Sequence, residues 1–284
     1  MRQNTWTEDE LKFLEENYPK YGTKYCMEEL GYTKSKIQNT THKLGIKLLP
    51  NVKSKLLSKL PSKCNINPEL FHKLKDKEVV YLLGLMWADG FMYQSPSKHV
   101  SNLGFTMVKE DLEIIKTSID TIGKWNYHER KQTNPKWKPS MNVITNNKRI
   151  FDFLVEHDYD KKSHVSADKI LSKIPNNLKH YFFLGLIDGD GCFYHYVPEN
   201  GSTLRQFALA STYEQDWSYF ETLCSELDIK YKVKRNKGEK SSSSYIRITN
   251  KGGIKKLGDY LYQNIKEDNI GLIRKYEKLK LIIK

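Results

Sequence analysis

The chain has 284 residues, 38% hydrophobic and 29% charged, a composition that fits a globular protein rather than a disordered one. No run reaches the roughly 20 apolar residues of a membrane-crossing helix, and the opening "MRQNTWTEDE" carries no apolar export signal. With 47 Lys and Arg against 34 Asp and Glu, the net charge is +13, which favours a polyanion partner, nucleic acid before an anionic membrane surface.

Residues 1–48 predict a three-helix domain. Thr7-Glu8-Asp9-Glu10 is a capping-box pattern, and Leu11, Leu14 and Tyr18 then share one helical face. Thr23 opens a second helix that Gly31 ends. Thr33 caps a third, with Ile37, Thr41 and Leu44 inward and Gly45 as the stop. The third helix turns Lys34, Lys36, Asn39, His42 and Lys43 outward, and no acid lies between residues 33 and 47. The arrangement resembles a Myb-like helix-turn-helix module, whose positive third helix would enter the major groove of DNA. A small protein-docking domain is the alternative.

Residues 49–77 are Lys-rich with Pro and Asn breaks, and are expected to form a basic linker. Cys26, Cys64, Cys192 and Cys224 form no CxxC pair. They argue against a structural zinc site and for reduced thiols in an intracellular, soluble protein, whether in cytoplasm, nucleoid or organelle.

Residues 78–178 and 179–284 read as two copies of one unit. Each runs helix, two strands, helix, two strands, helix. The three extra residues of the second copy are assigned between its second strand and the next helix. Strands joined by short turns imply antiparallel sheets. The expected fold is therefore α+β: two pseudo-symmetric αββαββα repeats with antiparallel sheets forming a DNA-binding saddle, plus the three-helix domain.

Each repeat opens with an apolar helix that stops at Asp-Gly: "YLLGLMWADGFMY" at 81–93 and "YFFLGLIDGDGCFY" at 181–194. Such a helix must be buried on most sides. Gly84 and Ala88, like Gly185 and Gly189, place small residues four apart, so the two helices can pack closely as the seam between repeats. Asp89 and Asp190 then meet at the helix ends, where negative dipole charge already gathers. Two carboxylates about 5 Å apart repel by roughly 3 kcal/mol at an effective dielectric near 20. An oxygen-loving divalent cation removes that penalty.

Leu82–Gly90 and Phe183–Gly191 resemble the paired motifs of single-chain LAGLIDADG homing endonucleases, over about residues 78–284. The second motif matches closely, while the first has Trp87 where the family has Asp. The resemblance implies a metal-dependent endonuclease making double-strand cuts. Asp89 and Asp190 would hold Mg²⁺ or Mn²⁺, with Ca²⁺ able to bind without supporting cleavage, helped by the main-chain carbonyls of Ala88 and Gly189. It also implies a basic residue after the last helix of each repeat, here Lys162 and Lys275. A polar residue at the end of the second strand falls on Lys109 in one repeat and Ser211 in the other.

Period-two alternation divides the strands into an apolar face and a polar one. The polar set comprises Asn102, Thr106, Asn126, His128 and Arg130 in the first repeat, and Tyr194, Gln206, Lys230, Lys232, Lys234 and Arg247 in the second. Two unequal repeats in one chain imply a monomer reading a long non-palindromic DNA site. The alternatives are a non-catalytic DNA-binding regulator, or a maturase whose partner is intron RNA.

Overall fold

The computed structural model describes residues 6–52, 65–96, 101–132, 134–199, 201, 203–238 and 242–284. It divides into two compact units, Met1–Ser62 and Lys63–Lys284. Cys64 and part of each first hairpin turn lie outside the described residues. No helix among them is long and apolar enough to cross a membrane, and Cys26, Cys192 and Cys224 are free thiols.

In the first unit, α1 (Glu8–Leu30) starts at the expected capping box, in which Thr7 and Glu10 satisfy one another's main-chain amides. The helix breaks at Gly22, whose φ of 77° is left-handed, so α1 is two helical segments. Gly31 closes it and Thr33 caps α2 (Lys34–Lys43). Leu14, Cys26 and Ile37 form the core. Leu44, expected inside, is 44% exposed because α2 ends one residue earlier.

The second unit begins earlier than the linker assignment allows. β1 (Asn65–Ile66) pairs with β4 (Gly123–Lys124), and α3 (Pro68–Lys73) buries Phe71, with Leu74 behind it. The Lys content of 65–77 lies on the outside of a short folded segment, and composition hid its apolar positions.

The first repeat follows as α4 (Lys77–Asp89), β2 (Gly90–Gln94), β3 (Ser101–Val108), α5 (Lys109–Ile122), β4, β5 (Asn126–Glu129), β6 (Ser140–Thr145) and α6 (Lys148–Glu156). After a short α7 (Asp168–Leu171), the second runs α8 (Lys179–Asp190), β7 (Gly191–Tyr196), β8 (Leu204–Thr212), α9 (Ser218–Glu226), β9 (Lys232–Lys237), β10 (Ser242–Ile248) and α10 (Lys251–Leu261). It ends with α11 (Ile265–Asp268) and α12 (Ile273–Ile283). Each repeat forms one antiparallel four-stranded sheet, in order β2-β3-β6-β5 and β7-β8-β10-β9. The register moves the three-residue difference into the first hairpin: Gly90 pairs with Phe105 but Gly191 with Leu209.

α4 and α8 lie side by side at the centre. A Cβ on Gly84 would overlap the carbonyl oxygen of Phe182, and one on Gly185 would overlap that of Tyr81. The reciprocal contacts show why small residues stand there: each backbone occupies the space a side chain would need. Farther along, Gly189 lies against Ala88 and Asp89. The two helices therefore run in the same direction and end together.

Candidate active site

The carboxylates of Asp89 and Asp190 stand at that common end, on the last residues of α4 and α8. A Cβ on Gly189 would be 3.2 Å from Oδ2 of Asp89, so the acid of one repeat lies against the backbone just before the acid of the other. Both side chains are exposed at the surface while crowded by the helix ends. Loss of water, and then the charge of Asp190, push Asp89 up to about 6, against the pull of Lys162 and Lys275. Burial also raises Asp190, opposed by the same two lysines.

The lysines close the helix ends. Helix termini leave their last carbonyls unpaired and partly negative. Lys162 donates to the carbonyls of Trp87 (2.6 Å) and Ala88 (2.7 Å). Lys275, only 7% exposed, donates to those of Ile187, Asp188 and Gly191 at 2.6–2.8 Å and of Gly189 at 3.3 Å. Burial drives Lys162 down to about 8, with Asp190 and Asp89 pulling the other way, and it lowers Lys275 too. The carbonyls of Ala88 and Gly189, which the family resemblance assigns to a metal, accept from these ammoniums, which leaves each one lone pair to offer.

A cleft of about 50 Å³ joins Asp190 to Lys162, with Ser211, Gln215, Trp217 and Tyr219 around it. That is room for one or two water molecules. Ser211 donates to Gln215 there, at 2.8 Å. Lys109 is exposed as the first residue of α5. It is not the counterpart of Ser211: with Phe105 opposite Leu209 in register, Ser211 corresponds to buried Met107 and Lys109 to Tyr213. The mismatch in hairpin length shifted the sequence alignment by two residues.

Among the described residues, no three His, Cys, Asp or Glu side chains converge as a metal cluster. A cation here would rest on two carboxylates, main-chain oxygens and water, an all-oxygen set suited to Mg²⁺ or Ca²⁺. Burial, and second the charge of Asp190, disfavour the ionised form of Asp89, and a bound cation would favour it.

No family model and no curated protein matches the chain. Among solved structures, it is similar to the LAGLIDADG homing endonuclease I-LtrWI bound to target DNA, at 16% identity and TM-score 0.45, covering 76% of this chain and 90% of that one. It is similar to the meganuclease I-AabMI bound to uncleaved DNA, at 12% identity and TM-score 0.49, covering 76% and 89%. It is also similar to I-SmaMI bound to uncleaved DNA with calcium ions, at 15% identity and TM-score 0.40, covering 77% and 98%. I-LtrWI and I-AabMI both carry the LAGLIDADG description. At these identities and TM-scores the chemistry rests on the residues of this chain.

At one register position α4 and α8 carry residues of opposite chemistry. Asp188 is buried and accepts from the Tyr81 hydroxyl (2.9 Å) and the Leu272 amide (2.8 Å), while its Oδ1 has no partner among the described residues. Trp87 occupies the matching place in the first repeat, edge-on to Tyr159 and Phe182. Burial raises Asp188 to about 6. A folded pKa above the unfolded value gives stability that is full at low pH and lost as pH rises through about 6. We expect the metal-free protein to lose roughly 2 kcal/mol from this group between pH 4 and 7. Urea titrations across that range should show a smaller decline in Asp188→Asn; an unchanged decline would contradict the assignment.

Strand register sorts the polar residues onto single faces. In the first repeat, Asn102, Thr106, Asn126 and His128 share the face turned from the core, with Arg130 continuing it. Asn142, which sequence reading missed, joins them and accepts from Thr106 at 2.8 Å. In the second, Tyr194, Gln206, Arg247, Lys232 and Lys234 share one face, to which the register adds Tyr245. Tyr194, Gln206 and Arg247 line one open cleft of about 480 Å³. Lys230 is exposed but precedes β9, so two of the three expected lysines belong to the strand. Only cross-strand partners reveal Asn142 and Tyr245, since each sits in a strand whose own alternation is broken by mixed residues.

In the separate N-terminal unit, Lys34, Asn39, His42 and Lys43 are exposed on α2. Lys36 is half-buried, its ammonium 3.7 Å from the centre of the Tyr32 ring and 5.0 Å from that of Trp6. It is held on aromatic faces rather than projecting freely.

Proposed function

We propose that the chain is a LAGLIDADG homing endonuclease, making metal-dependent double-strand cuts in a long non-palindromic DNA site. The observation that carries this is the meeting of Asp89 and Asp190, one from each repeat, at the shared end of two parallel helices. Asp89 and Asp190 would hold Mg²⁺ or Mn²⁺ with the carbonyls of Ala88 and Gly189. When bound, the metal supplies an activated water nucleophile and charge stabilisation at phosphate. Lys162, poised near neutrality beside Asp190, can exchange a proton with water in the cleft and meet negative charge building on phosphate oxygens. Lys275 holds the second helix end in the matching posture.

The two polar sheet faces would form a saddle over the DNA, one per half-site. Their chemistry differs. The first presents amides, Asn102, Asn126 and Asn142, which pair with adenine N6 and N7. The second presents Arg247, Lys232 and Lys234, which favour guanine O6 and N7. The α2 surface would extend the footprint as a helix-turn-helix module. Digestion of a randomised plasmid library with Mg²⁺ should return one asymmetric site, adenine-rich in one half and guanine-containing in the other, with all cutting lost in EDTA. An uncut library would sink the nuclease reading, and tight intron-RNA binding in its place would favour a maturase.

A further inference from the structure

The two site lysines sit on segments that cross between repeats. After α6, the chain turns through Tyr159–Lys161, and the Tyr159 hydroxyl donates to Met86 before Lys162 reaches the end of α4. The next residues are gripped by the second repeat. The Thr212 hydroxyl donates to the Ser163 carbonyl, the Asp216 amide to His164 (3.0 Å), and Gln215 Nε2 to Val165 (3.1 Å). Gln215 is 3% exposed. Its Oε1 accepts from Ser211, its Nε2 also donates to Asp216, and its carbonyl accepts from Arg235. This amide is wholly committed to holding that corner.

The other lysine has a counterpart grip of different chemistry. Arg274, next to Lys275, places Nε and Nη2 on the two oxygens of Asp111, at 2.8 and 2.7 Å. Asp111 is 9% exposed and belongs to the first repeat, on α5. Counted six residues on from the register partners Phe105 and Leu209, Asp111 and Gln215 take the same place after β3 and β8.

We propose that Asp111 and Gln215 are positioning residues, each fixing the segment that carries the opposite repeat's lysine against its helix end. The assignment rests on the endonuclease reading. It gives the two cutting centres separate supports: a forked ion pair for Lys275 and a neutral amide for Lys162. Loss of a support that orients a functional group typically costs about 10- to 100-fold in activity. Because each support serves one lysine, the loss should fall on one DNA strand.

The test uses the full chain and a supercoiled plasmid bearing the site recovered from the library, with each strand end-labelled after the reaction. Asp111→Asn should accumulate circles nicked in one strand, with cutting of the other strand slowed about 10-fold or more. Gln215→Met should leave the opposite strand uncut. Binding measured in Ca²⁺ should stay within about twofold of wild type. Arg274→Lys keeps the charge and loses the fork, so it should reproduce the Asp111 bias more mildly, as Ser211→Ala should for Gln215. Equal slowing of both strands, or no slowing, in the soluble variants overturns the proposal. Failure of the wild-type chain to cut any site overturns the endonuclease reading itself.

Discussion

Asp89→Asn and Asp190→Asn are each expected to abolish double-strand cleavage while DNA binding survives. Burial first, and then the charge of Asp190, raise Asp89 to about 6, so holding it ionised costs free energy that a bound cation would offset. An amide keeps the shape and loses the charge that would hold a cation. Losing metal-based stabilisation of several kcal/mol slows the chemical step by about 10³-fold or more. Binding is dominated by phosphate contacts from Lys and Arg, so removing an acid beside the duplex leaves it intact or slightly tighter. Single-turnover cleavage in Mg²⁺ and gel-shift titration in Ca²⁺ separate the two effects. Undiminished nicking by both variants would refute the assignment of the site.

Gly84→Val is expected to destabilise the second unit by about 3 kcal/mol or more. The first atom of any side chain at Gly84 overlaps the Phe182 carbonyl and comes within 3.0 Å of the Leu186 amide nitrogen. Backbone cannot swing aside as a side chain can, so the helices must part. Overpacking of well-filled cores costs 1–3 kcal/mol as a rule, and here separation also opens voids along the seam. For a unit of this size the melting temperature falls by roughly 6–12 °C. Gly252→Ala is the control, since its Cβ would meet only Asn250 Oδ1 at 3.6 Å. Calorimetry of the two variants decides the matter: similar melting temperatures would mean that the helices are not closely packed at Gly84.

The sequence was most legible where one residue type had one physical use. Small residues four apart in an apolar helix have little to do but admit another backbone, and Gly84 and Gly185 do so. Thr7 and Glu10 form their reciprocal cap because both partners lie within one turn. Reading failed where an assignment needed a partner distant in the chain. The pairing of Lys109 with Ser211 missed by two residues because hairpin length is set by cross-strand bonds. Asn142 and the Arg274–Asp111 fork were invisible for the same reason, each joining segments remote in sequence. The Lys-rich stretch around Phe71 reads as a linker because surface charge masks its few buried positions.

Joining the repeats in one polypeptide also changes how the molecule can vary. In a symmetric pair of identical chains, every substitution at the Gly84–Gly185 crossing would be made twice and would meet itself. Here Trp87 faces one set of neighbours and Asp188 another, and the two lysine supports have become an ion pair and an amide. Each half is thus free to diverge only as far as its mate tolerates. A half transplanted from another such protein would need its new companion to offer a bare backbone at the crossing and a matching grip on its lysine segment, so exchange of halves succeeds or fails at this border before target choice comes into play.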